Sequence, residues 1–167
     1  MAAIEPRNVE LTTKIGDGLL PYLWSPTRWR AAWGETLAAA PRSFKVAPTV
    51  LFSIGDDLEA CRATIRPRIA LHIGGMGSRT QNFYKDLVVR YGYEEEADLI
   101  QDHYLSGDRK AAQAAVTDEL VDDLALVGSP ARISDQLEVW REGPVTTMIL
   151  EPTKLDDLKA IADLWDR

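Results

Sequence analysis

Three side chains in this sequence, His72, Arg79 and Glu151, could take part in chemistry because of their type and their position. His72 and Arg79 flank a glycine-rich segment, residues 74–77, where an imidazole could act as an acid or a base and a guanidinium could hold an anion. Glu151 follows an apolar run typical of a strand, and α/β barrels place reactive groups at the carboxyl ends of their strands. Each residue also has a structural interpretation, as a surface or helix position for His72 and Arg79 and as an acid leading into a helix for Glu151.

The glycine-rich segment Gly74-Gly75-Met76-Gly77 has two interpretations of its own. It could form a loop that cradles a phosphate, or a turn that needs the backbone freedom of glycine. The order of its glycines is not that of a dinucleotide-binding fingerprint, and no strand runs directly into a helix there. We therefore predict a structural turn.

Metal chemistry and nucleophilic catalysis are not indicated by the sequence. Cys61 is the only cysteine, so no intrachain disulfide and no multi-cysteine zinc site can form. His103 lies beside Asp102, and no second histidine is suitably spaced to share a metal with it. A P-loop, a nucleophile elbow and a pair of catalytic carboxylates are also lacking. We predict no metal site.

The elements that must position these side chains alternate between strands and helices. Apolar and β-branched runs predict strands at residues 19–24, 44–54 and 145–150, and the end of another at residues 1–4. Helix-starting residues follow at Pro6, Ser25-Pro26 and Asp56-Asp57, and Glu151 with Pro152 closes the last strand. The last helix carries apolar residues at helical spacing, namely Leu155, Leu158, Ile161, Ala162 and Trp165. This alternation predicts an α/β fold of parallel βαβ units with right-handed crossovers.

Residues 74–143 depart from the alternation and are predicted to form a mostly helical insertion before the last strand. Two apolar stripes at helical spacing indicate this, Phe83, Leu87 and Tyr91 in one and Ile133, Leu137 and Trp140 in the other. Repeats and low-complexity linkers are absent from the sequence, so we expect residues 1–167 to form a single domain.

The composition is that of an ordinary globular chain, with 46% hydrophobic and 27% charged residues. A formal net charge of -7 disfavours nucleic acids and anionic membrane surfaces as partners. The sequence shows no signal peptide and no apolar run of the roughly 20 residues that would span a bilayer. We expect a cytoplasmic protein whose partners are small molecules or other proteins.

Several segments together resemble one enzyme family. The longest is Arg68-Ile69-Ala70-Leu71-His72-Ile73-Gly74-Gly75-Met76-Gly77, followed by Asn82-Phe83-Tyr84 and Arg90-Tyr91-Gly92-Tyr93. Others are found at residues 4–8, 15–18, 46–50 and 126–130. In order and spacing they are similar to the C-terminal half of luciferase-like oxidoreductases that use coenzyme F420. The resemblance implies a partial TIM (β/α)8 barrel containing about strands 5 to 8, with Met1 near the end of the fifth strand.

The resemblance also implies a cofactor and a place for it. Residues Ala3, Ile4, Glu5, Pro6 and Arg7 match the loop and helix start that receive the phosphate side of the deazaflavin. A helix start offers free N–H groups and the positive end of the helix dipole to an anion. The family pattern usually has glycine before the proline, whereas this chain has Glu5, whose carboxylate would repel a phosphate unless it turned away. Coenzyme F420 is the expected cofactor, with FMN as the alternative.

The implied reaction is hydride transfer between the deazaflavin and an organic small-molecule substrate. A complete barrel needs roughly 250 residues, whereas this chain has 167, so we expect it to be incomplete by itself. It would then need self-association or a separate N-terminal half. The alternative is a truncated, non-catalytic half-barrel remnant or interaction subunit that binds no cofactor. A different small α/β fold that binds a ligand is a third interpretation.

Overall fold

The computed structural model describes residues 1–152 and 156–165 of the chain. Its strands are β1 (Gly18–Leu19), β2 (Lys45–Val46), β3 (Thr49–Ile54), β4 (Ala125–Gly128) and β5 (Ile149–Pro152). Its helices are α1 (Pro6–Ile15), α2 (Trp29–Ala38), α3 (Leu58–Gly75), α4 (Phe83–Arg90), α5 (Glu94–Leu105), α6 (Arg109–Ala114), α7 (Asp118–Leu124), α8 (Pro130–Arg141) and α9 (Asp156–Trp165). The predicted α/β class is confirmed, whereas a partial barrel stays a prediction.

The named strands pair in parallel. β3 is central in one sheet, with β4 along its carboxyl-terminal part and β5 along its amino-terminal part. β1 pairs with β2, and an isolated parallel bridge from Tyr22 to Thr49 links this pair to β3. Apart from β4, the strands therefore lie side by side in the order in which they occur in the chain: β1 first, then β2 and β3, then β5. Consecutive parallel βα units require this order.

The backbone of Met1 continues the sheet on the far side of β1. Its amino group donates to the carbonyl of Gly18 at 2.6 Å, and its carbonyl accepts from the N–H of Leu20 at 2.8 Å. These two bonds are those of a parallel strand pair. Met1 thus occupies the position of a strand that precedes α1.

Local capping sets the starts of α3 and α8, whereas the helix predicted to start at Ser25-Pro26 begins only at Trp29, without a side-chain cap. The carboxylate of Asp57 accepts from the N–H of Ala60 at 3.0 Å at the start of α3. The Ser129 hydroxyl caps α8, where Pro130 holds the first position. Such side chains satisfy N–H groups that have no partner inside the helix.

Three predicted strands are shorter than expected. The expected strand at 19–24 ends after Leu19 apart from the bridge at Tyr22, because Pro21 has no N–H to donate and Leu23 takes a positive φ of 53°. The expected strand at 44–54 is interrupted at Pro48 for the same reason. The last strand begins at Ile149 rather than at residue 145.

The insertion at 74–143 is mostly helical, and it also contains β4, which sequence analysis did not predict. All four residues of β4 are buried, and their ladder runs from Leu51↔Ala125 to Ile54↔Gly128. A four-residue apolar run between two helices carries too little periodicity to be distinguished from the end of a helix. Only the free edge of β3 makes this segment a strand.

The predicted turn at Gly74–Gly77 is wrong for its first two residues. Gly74 and Gly75 form the last turn of α3, and a Cβ atom on Gly74 would lie 2.3 Å from the Cβ of Tyr104. The two glycines let α3 and α5 approach closely. Gly77 does lie in a turn, where a Cβ atom would meet the carbonyl oxygen of Gln81 at 2.3 Å.

The helical insertion is held to the carboxyl end of β1 by a group of polar contacts around α7. The side chain of Asp123, only 7% exposed, accepts hydrogen bonds from Ser25 and Thr27. Arg28 donates to the carbonyl of Tyr91 at 2.9 Å. These contacts join segments that lie 63 to 98 residues apart in sequence, so they order the insertion against the sheet.

A contiguous apolar core lies beneath these contacts. Trp29 and Trp33 are buried and Leu37 is half-buried, which confirms that the tryptophan stripe of α2 belongs to the core. In α9, Ile161 is buried and Leu158 is half-buried, as the terminal stripe predicts, while Leu155 lies outside the described residues. The stripe is wrong at Ala162, which is exposed, and Leu164 is buried in its place. No helix in residues 1–152 and 156–165 is long and apolar enough to cross a membrane.

Candidate functional site

A cluster of polar and aromatic side chains lies on one face of the sheet, around the amino-terminal part of β3, which pairs with β5 and with the isolated bridge residue Tyr22. Tyr22 pairs across the sheet with Thr49, and Glu151 pairs with Leu51 two residues further along β3. Because side chains two residues apart point to the same face of a strand, Tyr22 and Glu151 share a face. The Tyr22 hydroxyl donates to Glu151 Oε2 at 3.1 Å.

Helix α3 adds two side chains to this cluster. Arg68 forms an ion pair with Glu151, and His72 lies one helical turn further on. The ring centroid of His72 is 4.4 Å from that of Tyr22. Tyr84, from α4, meets the His72 ring edge-on at 4.8 Å. We call Tyr22, Arg68, His72, Tyr84 and Glu151 the Tyr22 cluster.

The hydrogen bond of His72 determines which of its ring nitrogens carries the proton. Nδ1 lies 2.8 Å from the backbone carbonyl of Arg68, which can only accept. Nδ1 must therefore carry a hydrogen, and the neutral ring presents Nε2 as an acceptor. Partial burial lowers the pKa of His72, which favours this neutral form.

The two tyrosines of the cluster are held in their neutral form as well. Burial, and then the adjacent Glu151 carboxylate, raise the pKa of Tyr22. Burial alone raises the pKa of Tyr84. At neutral pH the cluster thus offers two phenol protons, one free imidazole acceptor and one carboxylate balanced by a guanidinium. Such a set can bind a carbonyl or hydroxyl group and exchange a proton with it.

The lowered pKa of His72 predicts a pH-dependent stability. In the folded chain His72 binds its proton more weakly than in the unfolded chain, where the pKa of a histidine is near 6.5. Above the unfolded pKa the titration of His72 therefore costs the folded chain no stability. As the pH falls toward the folded pKa, the free energy of unfolding decreases, because the unfolded chain binds the proton more tightly. We expect His72→Phe, which keeps an aromatic ring, to lose less stability than the wild type between about pH 7.5 and about pH 5.5. Urea unfolding at both pH values measures this, and equal losses would contradict it.

The structure brings together two of the three side chains that the sequence singled out. His72 and Glu151 lie within the Tyr22 cluster, whereas Arg79 forms an ion pair with Asp102 of α5 and is 62% exposed. Arg79 makes none of the cluster's contacts in the described part of the chain. Its place at a pocket mouth stays a prediction.

The segment expected to receive a cofactor phosphate is the loop that leads into α1. Ala3 and Ile4 are half-buried, and the Ile4 carbonyl accepts from the Trp33 indole N–H at 3.0 Å. Pro6 begins the helix, and the Arg7 side chain is exposed.

Glu5 itself caps the helix that follows. Its Oε2 accepts from the N–H of Asn8 at 3.1 Å. A carboxylate therefore already uses one of the N–H groups that a phosphate would need.

Sequence analysis missed Tyr22, Arg68 and Tyr84. A usable signal existed for Arg68, which precedes His72 by four residues and so shares its helix face. The side chains of Tyr22 and Glu151 are 129 residues apart in sequence. Only the strand register brings them together.

The family model for luciferase-like monooxygenases matches residues 1–147, most of the chain. This chain belongs to the luciferase-like monooxygenase family. A protein of Mycobacterium tuberculosis, named as a coenzyme F420-dependent oxidoreductase, is 34% identical over 173 residues, which include 98% of this chain and 50% of that protein. The chain thus spans about half the length of this relative.

Solved structures show the same fold. The F420-dependent tetrahydromethanopterin reductase from Methanopyrus kandleri superposes with a TM-score of 0.71 at 22% identity, over 96% of this chain and 47% of the reductase. An F420-dependent secondary alcohol dehydrogenase superposes with a TM-score of 0.59 at 13% identity, over 99% and 46% of the two chains. At these identities the comparison establishes the fold, and each of the two solved structures is matched over about half its length.

Proposed function

We propose that this chain supplies the carboxyl-terminal part of an oxidoreductase that transfers a hydride between coenzyme F420 and an organic substrate. The observation that carries the proposal is the 34% identity, over nearly the whole chain, to a protein named as a coenzyme F420-dependent oxidoreductase. The Tyr22 cluster supports it, because a substrate that gains or loses a hydride at carbon also exchanges a proton at oxygen or nitrogen. In this proposal the coenzyme supplies the hydride.

The residues of this chain would manage the proton and orient the substrate. The Tyr22 hydroxyl is kept neutral by burial and now donates its hydrogen bond to Glu151. It would donate this hydrogen bond to a substrate oxygen instead when a substrate is bound. His72 Nε2 would accept a proton, because Nδ1–H is held by the Arg68 carbonyl. Arg68 would keep the Glu151 carboxylate in place through their ion pair.

The start of α1, as it stands, does not fit a cofactor phosphate. The Glu5 carboxylate places negative charge where the phosphate would lie and takes the Asn8 N–H. The half-buried side chain is held there by one hydrogen bond of 3.1 Å, so a change in its rotamer would free the helix start. We propose that Glu5 weakens coenzyme binding at this helix.

The first test is a fluorescence titration of the purified chain with coenzyme F420, with FMN titrated in parallel. We expect Glu5→Gly to tighten F420 binding by about tenfold, since it removes a like charge and restores the backbone access that glycine allows. The matched control is Asp57→Gly, which removes an N-cap carboxylate of the same geometry from α3. We expect this control to leave F420 binding unchanged.

A second candidate function is favoured by Glu5 itself. A half-barrel remnant or interaction subunit would tolerate a carboxylate at the start of α1, because no phosphate would need the place. Folded wild-type chain and Glu5→Gly chain that both fail to bind F420 and FMN would support this candidate over the oxidoreductase. Binding of FMN without F420 would keep the reaction class and change the cofactor.

A further inference from the structure

We propose that Asn82 is a positioning residue for the Tyr22 cluster, because its side chain binds the backbone of both His72 and Tyr84. Its role in proton exchange rests on the proposed function, whereas the contacts that support it involve neither coenzyme nor substrate. The segment Asn82-Phe83-Tyr84 is part of the pattern by which the chain resembles its family, and only Tyr84 of that segment has so far been given a role.

Asn82 lies between the end of α3 and the start of α4 and is only 2% exposed. Its amide nitrogen donates to the carbonyl of His72 at 3.2 Å and to that of Ile73 at 2.8 Å. Its amide oxygen accepts from the N–H of Tyr84 at 3.0 Å and from the N–H of Lys85 at 3.2 Å. Two donated and two accepted hydrogen bonds use the full capacity of a side-chain amide. These four bonds therefore hold the amide in one orientation.

Asn82 does more than cap α4. An N-cap side chain satisfies N–H groups of the helix that it begins, as Asp57 does for α3. Asn82 also binds carbonyls in the last turn of the preceding helix, where such groups lack partners within the helix. One buried side chain thus joins the end of α3 to the start of α4. Because His72 and Tyr84 lie on these two helix ends, Asn82 sets how their rings meet.

The turn that precedes Asn82 brings it against α3. The N–H of Ser78 donates to the carbonyl of Gln81 at 3.0 Å, and the N–H of Gln81 donates to the carbonyl of Ser78 at 3.3 Å. A Cβ atom on Gly77 would lie 2.8 Å from the Cα of Asn82 and 2.3 Å from the carbonyl oxygen of Gln81. Gly77→Ala would therefore displace Asn82 without changing the Asn82 side chain itself.

The packing of the two rings affects how His72 binds its proton. The Tyr84 ring lies edge-on to the His72 ring at 4.8 Å and to the Tyr22 ring at 6.1 Å. Both tyrosines shield the imidazole from water, and burial is the main cause of the lowered pKa of His72. The charged groups that act on His72 are Arg68 on its own helix and Glu151 on β5. Loss of the amide contacts would loosen Tyr84 and leave this ion pair in place.

Proton NMR of the imidazole measures the pKa of His72 in the full chain, without coenzyme. We expect Asn82→Ser, which keeps a capping oxygen but loses both donors to α3, to raise the pKa of His72 toward about 6.5, the value in an unfolded chain. Gly77→Ala should do the same, since it displaces Asn82. The matched control is Ser129→Ala, which removes the cap of α8 and should leave the pKa of His72 unchanged. Circular dichroism checks that each variant is folded, and His72→Phe assigns the signal.

A double-variant cycle tests whether Asn82 acts through Tyr84. Tyr84→Ala should raise the pKa of His72 as Asn82→Ser does, and the double variant should raise it no further than Tyr84→Ala alone. Tyr84→Phe keeps the ring that shields the imidazole, so it should leave the pKa of His72 unchanged. An unchanged pKa in Asn82→Ser, an equal rise in Ser129→Ala, or additive rises in the cycle would each overturn the proposal.

These measurements contain no coenzyme, so they test the role of Asn82 separately from the proposed function. Failure of the folded wild-type chain to bind coenzyme F420 would count against the oxidoreductase alone. Binding of F420 by the wild type, together with an unchanged pKa of His72 in Asn82→Ser, would count against the role of Asn82 alone.

Discussion

Replacing Asp123 with alanine is expected to lower the free energy of unfolding by about 3 kcal/mol, the size typical of breaking a buried charge network. The Asp123 side chain is 7% exposed, and its Oδ1 accepts from Ser25 at 2.8 Å and from Thr27 at 2.6 Å. Its Oδ2 lies 3.7 Å from Arg28 Nε. Removal of the carboxylate would leave the fully buried Ser25 hydroxyl without its acceptor and would remove one of the anions that balance Arg28.

Equilibrium unfolding in urea measures this effect as a shift of the transition midpoint. The control is Asp102→Ala, which breaks the ion pair with Arg79 in the same helical insertion, at a site where both side chains are 62% exposed. An exposed pair of this kind contributes little to stability, because water screens the two charges. Equal destabilisation by the two variants would show that Asp123 does not anchor the insertion to the end of β1.

Replacing Gly74 with alanine is expected to destabilise the chain by about 2 kcal/mol, although alanine is the better helix former. A Cβ atom at Gly74 would lie 2.3 Å from the Cβ and 2.6 Å from the Cγ of Tyr104. These atoms are at the root of the tyrosine side chain, so a rotamer change cannot remove the overlap. Helices α3 and α5 would have to separate, and their packing would be lost.

The matched control is Gly34→Ala, within α2. A Cβ atom there would meet only the side chain of Arg30, at 3.4 Å. The intrinsic preference for alanine should then dominate and stabilise the chain by up to about 1 kcal/mol. Thermal or urea unfolding of both variants tests the opposite signs. A stabilising Gly74→Ala would mean that α3 and α5 can separate at little cost.

Much of the local structure was predictable from the sequence. Short-range signals lie within three or four residues of what they determine, as when Ser129 caps α8 through the N–H of Arg132. Apolar spacing likewise predicted that Trp29 and Trp33 are buried. The strand predicted at 44–54 is interrupted at Pro48, which was visible in the sequence. The apolar and β-branched residues on both sides of Pro48 nevertheless led to the prediction of one continuous strand.

The candidate site was predictable only in part. His72 and Glu151 stood out by residue type and by position near the ends of elements. Tyr22 lies beside Glu151 because Tyr22 pairs with β3 through one bridge and Glu151 pairs with β3 through the β5 ladder. These two pairings place both side chains on the same face of the sheet. No signal within the neighbourhood of residue 22 contains that information.

The sequence by itself determined the α/β class and the helix starts at Pro6 and Asp57, because these depend on residue spacing and on contacts between near neighbours. It also carried the segments by which the chain resembles its family. Tertiary structure alone decided that residues 125–128 form a strand and that Gly74 and Gly75 serve close helix packing. It also decided that Glu5 turns its carboxylate onto the start of α1. Register and helix packing are collective properties of segments far apart in the chain, so the choice among alternatives with similar local energies is made only when those segments meet.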